Sequence, residues 1–282
     1  MKLATYRKDG QVRHGRIIDD THVTDLGPGD VTPLLGRPGP GTDGVRYPLE
    51  DVTLLAPLLR PGKILAVAAN YQDHVTETGG ERIDKSRISP RLFLKPPTAI
   101  SGPGEDIALP SVSDRIDWEV ELVVVLGRGG KDIAVDDALD HVAGYTVGND
   151  VSARAMDYGY ERDTDDSAVG FFDWLSGKWL DGFAALGPWL LTSDEVPDPQ
   201  ALEISLELNG EVMQHASTGD MIFNVAEQIA FASRIMTLEP GDLIYTGTPS
   251  GVGLASGRFL KAGDRMTARL AGIGDLVNSV RL

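Results

Sequence analysis

The sequence predicts a β-rich α+β fold, and three observations carry that prediction. Short runs with period-two alternation dominate the chain, and helical periodicity is confined to a few segments. Strands and helices do not alternate in the regular order of a parallel βαβ sheet. The 282 residues, 41% hydrophobic and 24% charged, suffice for one large domain with a small one attached. The division predicted here is a small N-terminal β domain at residues 1–57 and a main domain at 58–282.

In chain order, Leu3–Tyr6 and Gly15–Ile18 flank Asp9-Gly10, a hairpin signal. Residues 27–48 are dense in Gly and Pro and read as a loop or linker. Lys63–Ala68 reads as a buried strand. Asn70 is placed as the N-cap of a helix that puts His74 and Glu77 on one face, three residues apart. A His beside a carboxylate past the end of a strand is a general-base arrangement, and equally the pattern of a surface ion pair. Residues 78–90 are polar and read as a mobile loop. Residues 134–141 predict a short helix, Ala143–Val147 a strand, and Gly148-Asn149-Asp150 a turn into a helix. On that helix Asp150, Arg154 and Asp157 would share a face.

The acidic run 161–166 and the aromatic run 170–174 read either as a lid or as an anchored surface loop. Strands follow at 187–191 and 202–208, with a hairpin turn at Asn209-Gly210 and an amphipathic helix over 221–236. The Gly-rich stretch 247–253 lacks both the P-loop ending and the third Rossmann glycine, which excludes nucleotide binding. Its backbone N–H groups remain suited to a carboxylate.

The stretch with most chemical content is Asp117–Leu126. Alternation puts Trp118, Val120, Leu122 and Val124 on one face and Glu119, Glu121, Val123 and Val125 on the other. Both faces end apolar, so the strand is expected to be buried on both sides, with two carboxylates about 7 Å apart on a dry surface. Such a pair repels and loses hydration unless a cation joins it. Oxygen-only ligands suit Mg²⁺, Mn²⁺ or Ca²⁺ better than zinc. The plain alternative is a solvated edge strand.

With 26 Lys+Arg against 42 Asp+Glu, the formal charge is −16, unsuited to nucleic acid or to anionic membranes. No apolar run reaches spanning length, there is no cysteine, and no signal-type segment opens the chain. The expectation is a cytoplasmic protein.

Several stretches occur together in an order that resembles the fumarylacetoacetate hydrolase family over residues 60–282. They are Asn70-Tyr71-Gln72-Asp73-His74 with Glu77, Trp118–Leu122, Gly144–Arg154, Gly177-Lys178 and Tyr245–Gly253. The resemblance implies a mixed β-roll catalytic domain, a homodimer, and Mg²⁺ or Mn²⁺ held by Glu119, Glu121 and Asp150. It implies a water-activating dyad of His74 and Glu77, a substrate-polarising Lys178, and substrate contacts from Tyr71, Arg154 and Thr248. Asp157 stands where the family usually has Gln, and is expected to favour hydroxylated or neutral substrate tails. The implied substrate is a small 2-oxo or β-diketo acid, and hydrolysis of an acylpyruvate or fumarylpyruvate leads because the dyad is present. Oxaloacetate decarboxylation and 2-hydroxy-dienoate isomerisation need the same metal site. A cation-binding structural dimer is the non-enzyme alternative.

Overall fold

The computed structural model of this protein describes residues 1–37 and 44–282. The linker expected over 27–48 therefore lies partly, at 38–43, outside the described residues. Its ends are not loop: His22–Pro28 and Arg46–Pro48 are paired strands. Among the described residues, no helix is long and apolar enough to cross a membrane.

A 12-stranded sheet forms the body. From the N-terminal strand to one edge it runs, in spatial order, Lys2–Lys8, Ala184–Thr192, Val142–Asp150, Val120–Leu126, Leu243–Tyr245, Ile64–Ala68 and, at the edge, Arg91–Lys95. The N-terminal hairpin turns at Asp9-Gly10 as expected, and joins this sheet through Lys2–Lys8 beside Ala184–Thr192. A five-stranded sheet, built on the Asn209-Gly210 hairpin and the last two strands, packs against it.

The strand Val120–Leu126 is the hinge of the packing. Val120, Leu122 and Val124 enter the main core together with Leu206, Ala268 and Leu276 of the second sheet. Val123 and Val125 enter a second core with Phe93, Leu186 and Tyr245. Every residue of the strand is buried, so alternation puts apolar groups on both faces, as the sequence predicts. The regular ladder starts at Val120, and the two preceding residues leave it. Their amides are satisfied by side chains or out of register: Asn149 Oδ1 accepts from Glu119 N and Asp117 Oδ1 from Trp118 N, each at 2.8 Å.

Three local expectations need correction. Gly148-Asn149-Asp150 is no turn, because the strand Val142–Asp150 runs straight through it. Gly148 is there for clearance: a Cβ would lie 2.4 Å from Val123 Cγ2 and 2.6 Å from the Tyr245 ring. Nor does a helix follow. Ser152–Ala153 pairs with Ile116–Asp117, and the amides of Arg154 and Asp157 donate to Arg115 O and Val112 O. With its donors satisfied by a neighbouring segment, 150–157 has no reason to coil. Asn70 does not cap the helix Gln72–Glu77. It is fully buried and ties three segments, donating to Phe223 O and Thr246 O and accepting from Phe223 N.

Elsewhere the helix expected over 221–236 is observed as Val225–Ile235, shortened because Asn224 and Glu227 form a capping box. The run 134–141 forms a 3-10 helix, Val135–His141. The loop 78–90 is tied down by Gln72, whose amide donates to Ile83 O and accepts from Ile83 N, and by Lys85, which pairs with Glu227. The aromatic run is not a loop: it lies in a helix, Ser167–Ser176, started by the Asp166 side chain, and Phe171 and Trp174 of that helix line the cavity described below.

Candidate active site

The carboxylates of Glu119, Glu121 and Asp150 converge although they come from two strands. Each offers an oxygen within 4.8 Å of the others, and all three residues are buried. Pairing of Val120 with Asn149 sets the register that brings them together. Three cations answer them. Lys178 Nζ donates to Glu119 Oε2 (2.6 Å) and Asp150 Oδ2 (2.7 Å). Lys95 Nζ donates to the other oxygen of Asp150. Arg154 donates to Glu119 Oε1 and, at 2.8 Å, to Asp117 Oδ2.

Glu121 is left over. Among the described residues no basic side chain pairs with it, and its hydrogen-bond partner is Gly247 N at 2.7 Å. Burial, then Asp150 and Glu119, push its carboxyl well above the ordinary value of 4.5. Glu119 goes the other way: burial raises its carboxyl, but Lys178 and Arg154 outweigh that and hold it well below the usual range. Burial pulls the Lys95 ammonium down despite Asp150, while Lys178, between two carboxylates, is held up against the same burial. A buried carboxyl group with no cation of its own, beside two that share theirs, is the electrostatic gap a divalent ion would fill. An all-oxygen donor set fits a hard cation.

Glu121 also sets a pH dependence. Its folded pKa is raised, so its contribution to stability is present below the ordinary 4.5 and lost as pH rises through the folded value. Metal ligation needs the deprotonated form. Titration calorimetry in buffers of different ionisation enthalpy is therefore expected to show proton release when a divalent cation binds, with affinity rising with pH. A flat affinity with no proton exchange would remove Glu121 from the ligand set.

His74 faces the same cavity. Its Nδ1 lies 3.0 Å from Glu77 Oε1, and Glu77 Oε2 accepts from Gly251 N at 2.8 Å. Glu77 is thus fixed at both oxygens. With the carboxylate on Nδ1, that nitrogen carries the proton and Nε2 presents a lone pair. The Gly-rich stretch does hold carboxylates, but they are the protein's own. Gly247 N serves Glu121, Gly251 N serves Glu77, and Gly253 N and Leu254 N serve Asp117. Gly247 has φ of +96°, and a Cβ there would lie 2.6 Å from that of Asn70.

The cavity has a volume of about 840 Å³ and joins this polar end to an aromatic wall that includes Phe93, Phe171, Trp174 and Trp179. Thr248 lines it, its hydroxyl donating to Val120 O and accepting from Gln214 Nε2. Arg154 lines it too, but with its guanidinium committed to Asp117 and Glu119. Tyr71 is buried, does not line the cavity, and its hydroxyl has no hydrogen-bond partner among the described residues. Asp157 is exposed away from the cavity, and its Oδ1 accepts from Gly159 N. Without the expected helix it does not share a face with Asp150 and Arg154, and it pairs with neither Arg154 nor Arg162.

Two residues escaped the sequence reading. Asp117 directly precedes the Glu-x-Glu strand and anchors both Arg154 and the end of the Gly-rich stretch. Lys95 ends an apolar strand, where a lone lysine is a signal that something buried must neutralise it.

Residues 63–281 match the family described as Fumarylacetoacetate (FAA) hydrolase C-terminal, and residues 1–57 match one described as Rv2993c-like, N-terminal. The chain is 42% identical over 262 residues to the mitochondrial oxaloacetate tautomerase FAHD2A of Bos taurus, covering 92% of this chain and 79% of that protein. It is similar to the solved 2-hydroxyhepta-2,4-diene-1,7-dioate isomerase of Mycobacterium marinum, at 34% identity and a TM-score of 0.78, covering 100% and 98% of the two chains. It is also similar to maleylpyruvate hydrolase of Sphingobium sp. SYK-6, solved in complex with manganese(II) and pyruvate, at 30% identity and a TM-score of 0.75, covering 100% and 99%.

Proposed function

Since the chain belongs to the fumarylacetoacetate hydrolase family, we propose that it is a divalent-metal-dependent enzyme acting on a 2-oxo acid, with His74 moving the proton. The observation that carries this reading is one cavity containing both the buried Glu119, Glu121 and Asp150 cluster and a histidine oriented by Glu77. Those three carboxylates would hold Mg²⁺ or Mn²⁺, and Ca²⁺ is also compatible with the donor set. Such an ion supplies Lewis acidity beside the substrate's carbonyl and carboxylate oxygens.

Hydrolysis of an acylpyruvate is the reaction this cavity suits best, because its aromatic wall extends well beyond the polar end and gives an acyl tail a place to lie. His74 Nε2 takes a proton from water, and the water oxygen bonds to the acyl carbonyl carbon. The carbon–carbon bond to the pyruvate unit then breaks, and its electron pair stays on that unit as an enolate. Lys178, charged and buried, stabilises the developing negative charge where little water competes. His74 returns the proton it took to the enolate carbon, which completes pyruvate, and the acyl part leaves as a carboxylic acid. Glu77 keeps the imidazole in the tautomer that can accept the proton.

The identity to oxaloacetate tautomerases favours a second reading, in which the same base exchanges a proton between carbon 3 and the carbonyl oxygen of oxaloacetate. Oxaloacetate decarboxylation and hydroxydienoate isomerisation draw on the same enolate chemistry. A homodimer belongs to the proposal through the family resemblance. The test is to incubate the Mg²⁺-loaded protein with an acylpyruvate and, separately, with enol-oxaloacetate, and to follow both by ultraviolet absorbance. Pyruvate release from the acylpyruvate supports hydrolysis. Accelerated enol decay with no acylpyruvate cleavage selects the second reading. Neither, with metal bound, overturns both readings and leaves decarboxylation, isomerisation or a cation-binding structural role.

A further inference from the structure

One cation lining the cavity has no part in the chemistry above. Arg91 opens the strand Arg91–Lys95, whose alternation puts Arg91, Phe93 and Lys95 on one face. Along that face the surroundings change stepwise. Lys95 reaches Asp150. The Phe93 ring lies 5.4 Å from Lys178 Nζ and packs edge-on against Trp174 at 5.1 Å. Arg91 comes next, at the exposed outer end, and lines the same cavity. Of the other cations of the lining, Arg154 is committed to Asp117 and Glu119, and Lys178 is bonded to Glu119 and Asp150 at the reacting end. Arg91 forms no ion pair and no side-chain hydrogen bond among the described residues.

A metal-type cluster, then an aromatic wall, then an uncommitted guanidinium is a binding surface graded from polar to apolar to cationic. We propose that Arg91 determines specificity by binding the terminal carboxylate of an elongated 2-oxo diacid, whose oxo-acid end lies at Glu119, Glu121 and Asp150. This rests on the 2-oxo acid reading and adds the substrate's tail to it. A guanidinium offers a carboxylate a two-pronged bond that no other uncommitted group in the lining provides. The need for it is electrostatic: the chain carries −16 overall, so a dianion requires a local positive group to enter. Length is also selected. Arg91 and Lys95 are four residues apart, about 13 Å along the strand. A four-carbon diacid seated at the carboxylate cluster therefore has less reach past Phe93 towards Arg91 than an elongated one. Asp157, which the sequence offered as the tail-reading residue, lies outside the cavity, and the tail it pointed to, neutral or hydroxylated, is replaced by an anionic one.

The experiment compares two acylpyruvates of equal length, one ending in a methyl group and one in a carboxylate, with oxaloacetate as the short diacid. Turnover, and binding by calorimetry to Mg²⁺-loaded protein, are measured for wild type, Arg91→Gln and Arg91→Lys. Arg91→Gln is expected to weaken the carboxylate-ended compound about tenfold or more in kcat/KM and in Kd, with the methyl-ended compound and oxaloacetate changed less than about twofold. Arg91→Lys should recover part of the loss, since it restores charge but not the planar fork. Equal effects on both tails, or no effect on either, overturn the proposal. Binding of the methyl-ended compound with rejection of the carboxylate-ended one by wild type overturns it while the 2-oxo acid reading stands. If wild type binds none of the three, that reading fails and the proposal falls with it.

Discussion

Glu121→Gln is expected to keep the metal-free protein folded, with unchanged or raised stability, and to abolish its stabilisation by Mg²⁺ or Mn²⁺. The neighbouring change Glu119→Gln should behave differently. Glu121 has no cationic partner, its carboxyl already favours the protonated form, and Gly247 N can donate equally well to an amide oxygen. A neutral isostere therefore removes repulsion with Asp150 and Glu119 and costs no ion pair. Glu119 is bonded by both Lys178 and Arg154, so its neutralisation leaves two buried cations short of a counter-charge. Breaking a buried pair in this way costs about 3–5 kcal/mol. In the wild type, a cation at 100 times its dissociation constant adds about 2.7 kcal/mol. Melting curves in EDTA and in excess metal read all of these effects. Identical wild-type curves in the two conditions, with no heat of binding, would dispose of the metal site. A Glu121→Gln protein still stabilised by metal would remove that residue from it.

His74→Ala is expected to lower acylpyruvate turnover by about 10²–10⁴-fold, the usual contribution of a general base. The fold should survive, because His74 is partly exposed and its one side-chain partner, Glu77, retains its bond to Gly251 N. Glu77→Gln separates orientation from proton transfer. The amide still reaches Gly251 only if its oxygen turns that way, which points its NH₂ at Nδ1 and favours the tautomer protonated on Nε2. That tautomer presents no lone pair to water, so kcat should fall while KM moves little. Steady-state kinetics on both variants check this. Turnover in His74→Ala within about threefold of wild type would exclude the histidine as the base.

Much of this arrangement was legible because it is local. The Glu-x-Glu pattern inside an apolar alternation implied a buried acidic pair, and the strand is buried on both faces as alternation requires. The spacing of His74 and Glu77 implied a shared helix face, and the two are bonded on the short helix Gln72–Glu77. Both hairpin turns follow from residues that accept positive φ: Asp9 and Gly10, then Asn209 and Gly210. In each case a two- to four-residue pattern dictates the geometry through the backbone alone.

What failed was read from residue types that serve two purposes. Gly148 looks like a turn signal and is a clearance glycine under Tyr245. Asn70 and Asp150 look like helix caps, and both are spent on long-range partners. The Gly-rich stretch looks open to a ligand carboxylate, yet the amides of its Gly247, Gly251 and Gly253 are taken by Glu121, Glu77 and Asp117. A glycine or an acidic residue has the same local preferences whichever use it is put to, and only the approach of a distant segment decides between them.

The sequence by itself determined the β-rich class, the strand that carries Glu119 and Glu121, and the pairing of His74 with Glu77, because backbone periodicity and short-range spacing are enough for each. The tertiary structure alone decided that Lys95, Arg154 and Lys178 neutralise two of the three clustered carboxylates and leave Glu121 bare. It also decided that Arg91 lines the cavity and Asp157 does not. The physical reason is range. Propensity acts over a few neighbouring residues, whereas Lys95 and Asp150 are 55 residues apart in the chain and Asp117 and Gly253 are 136 apart. Charge balance in a buried site depends on which strands pair and in what register, and that is settled only when the whole sheet has closed.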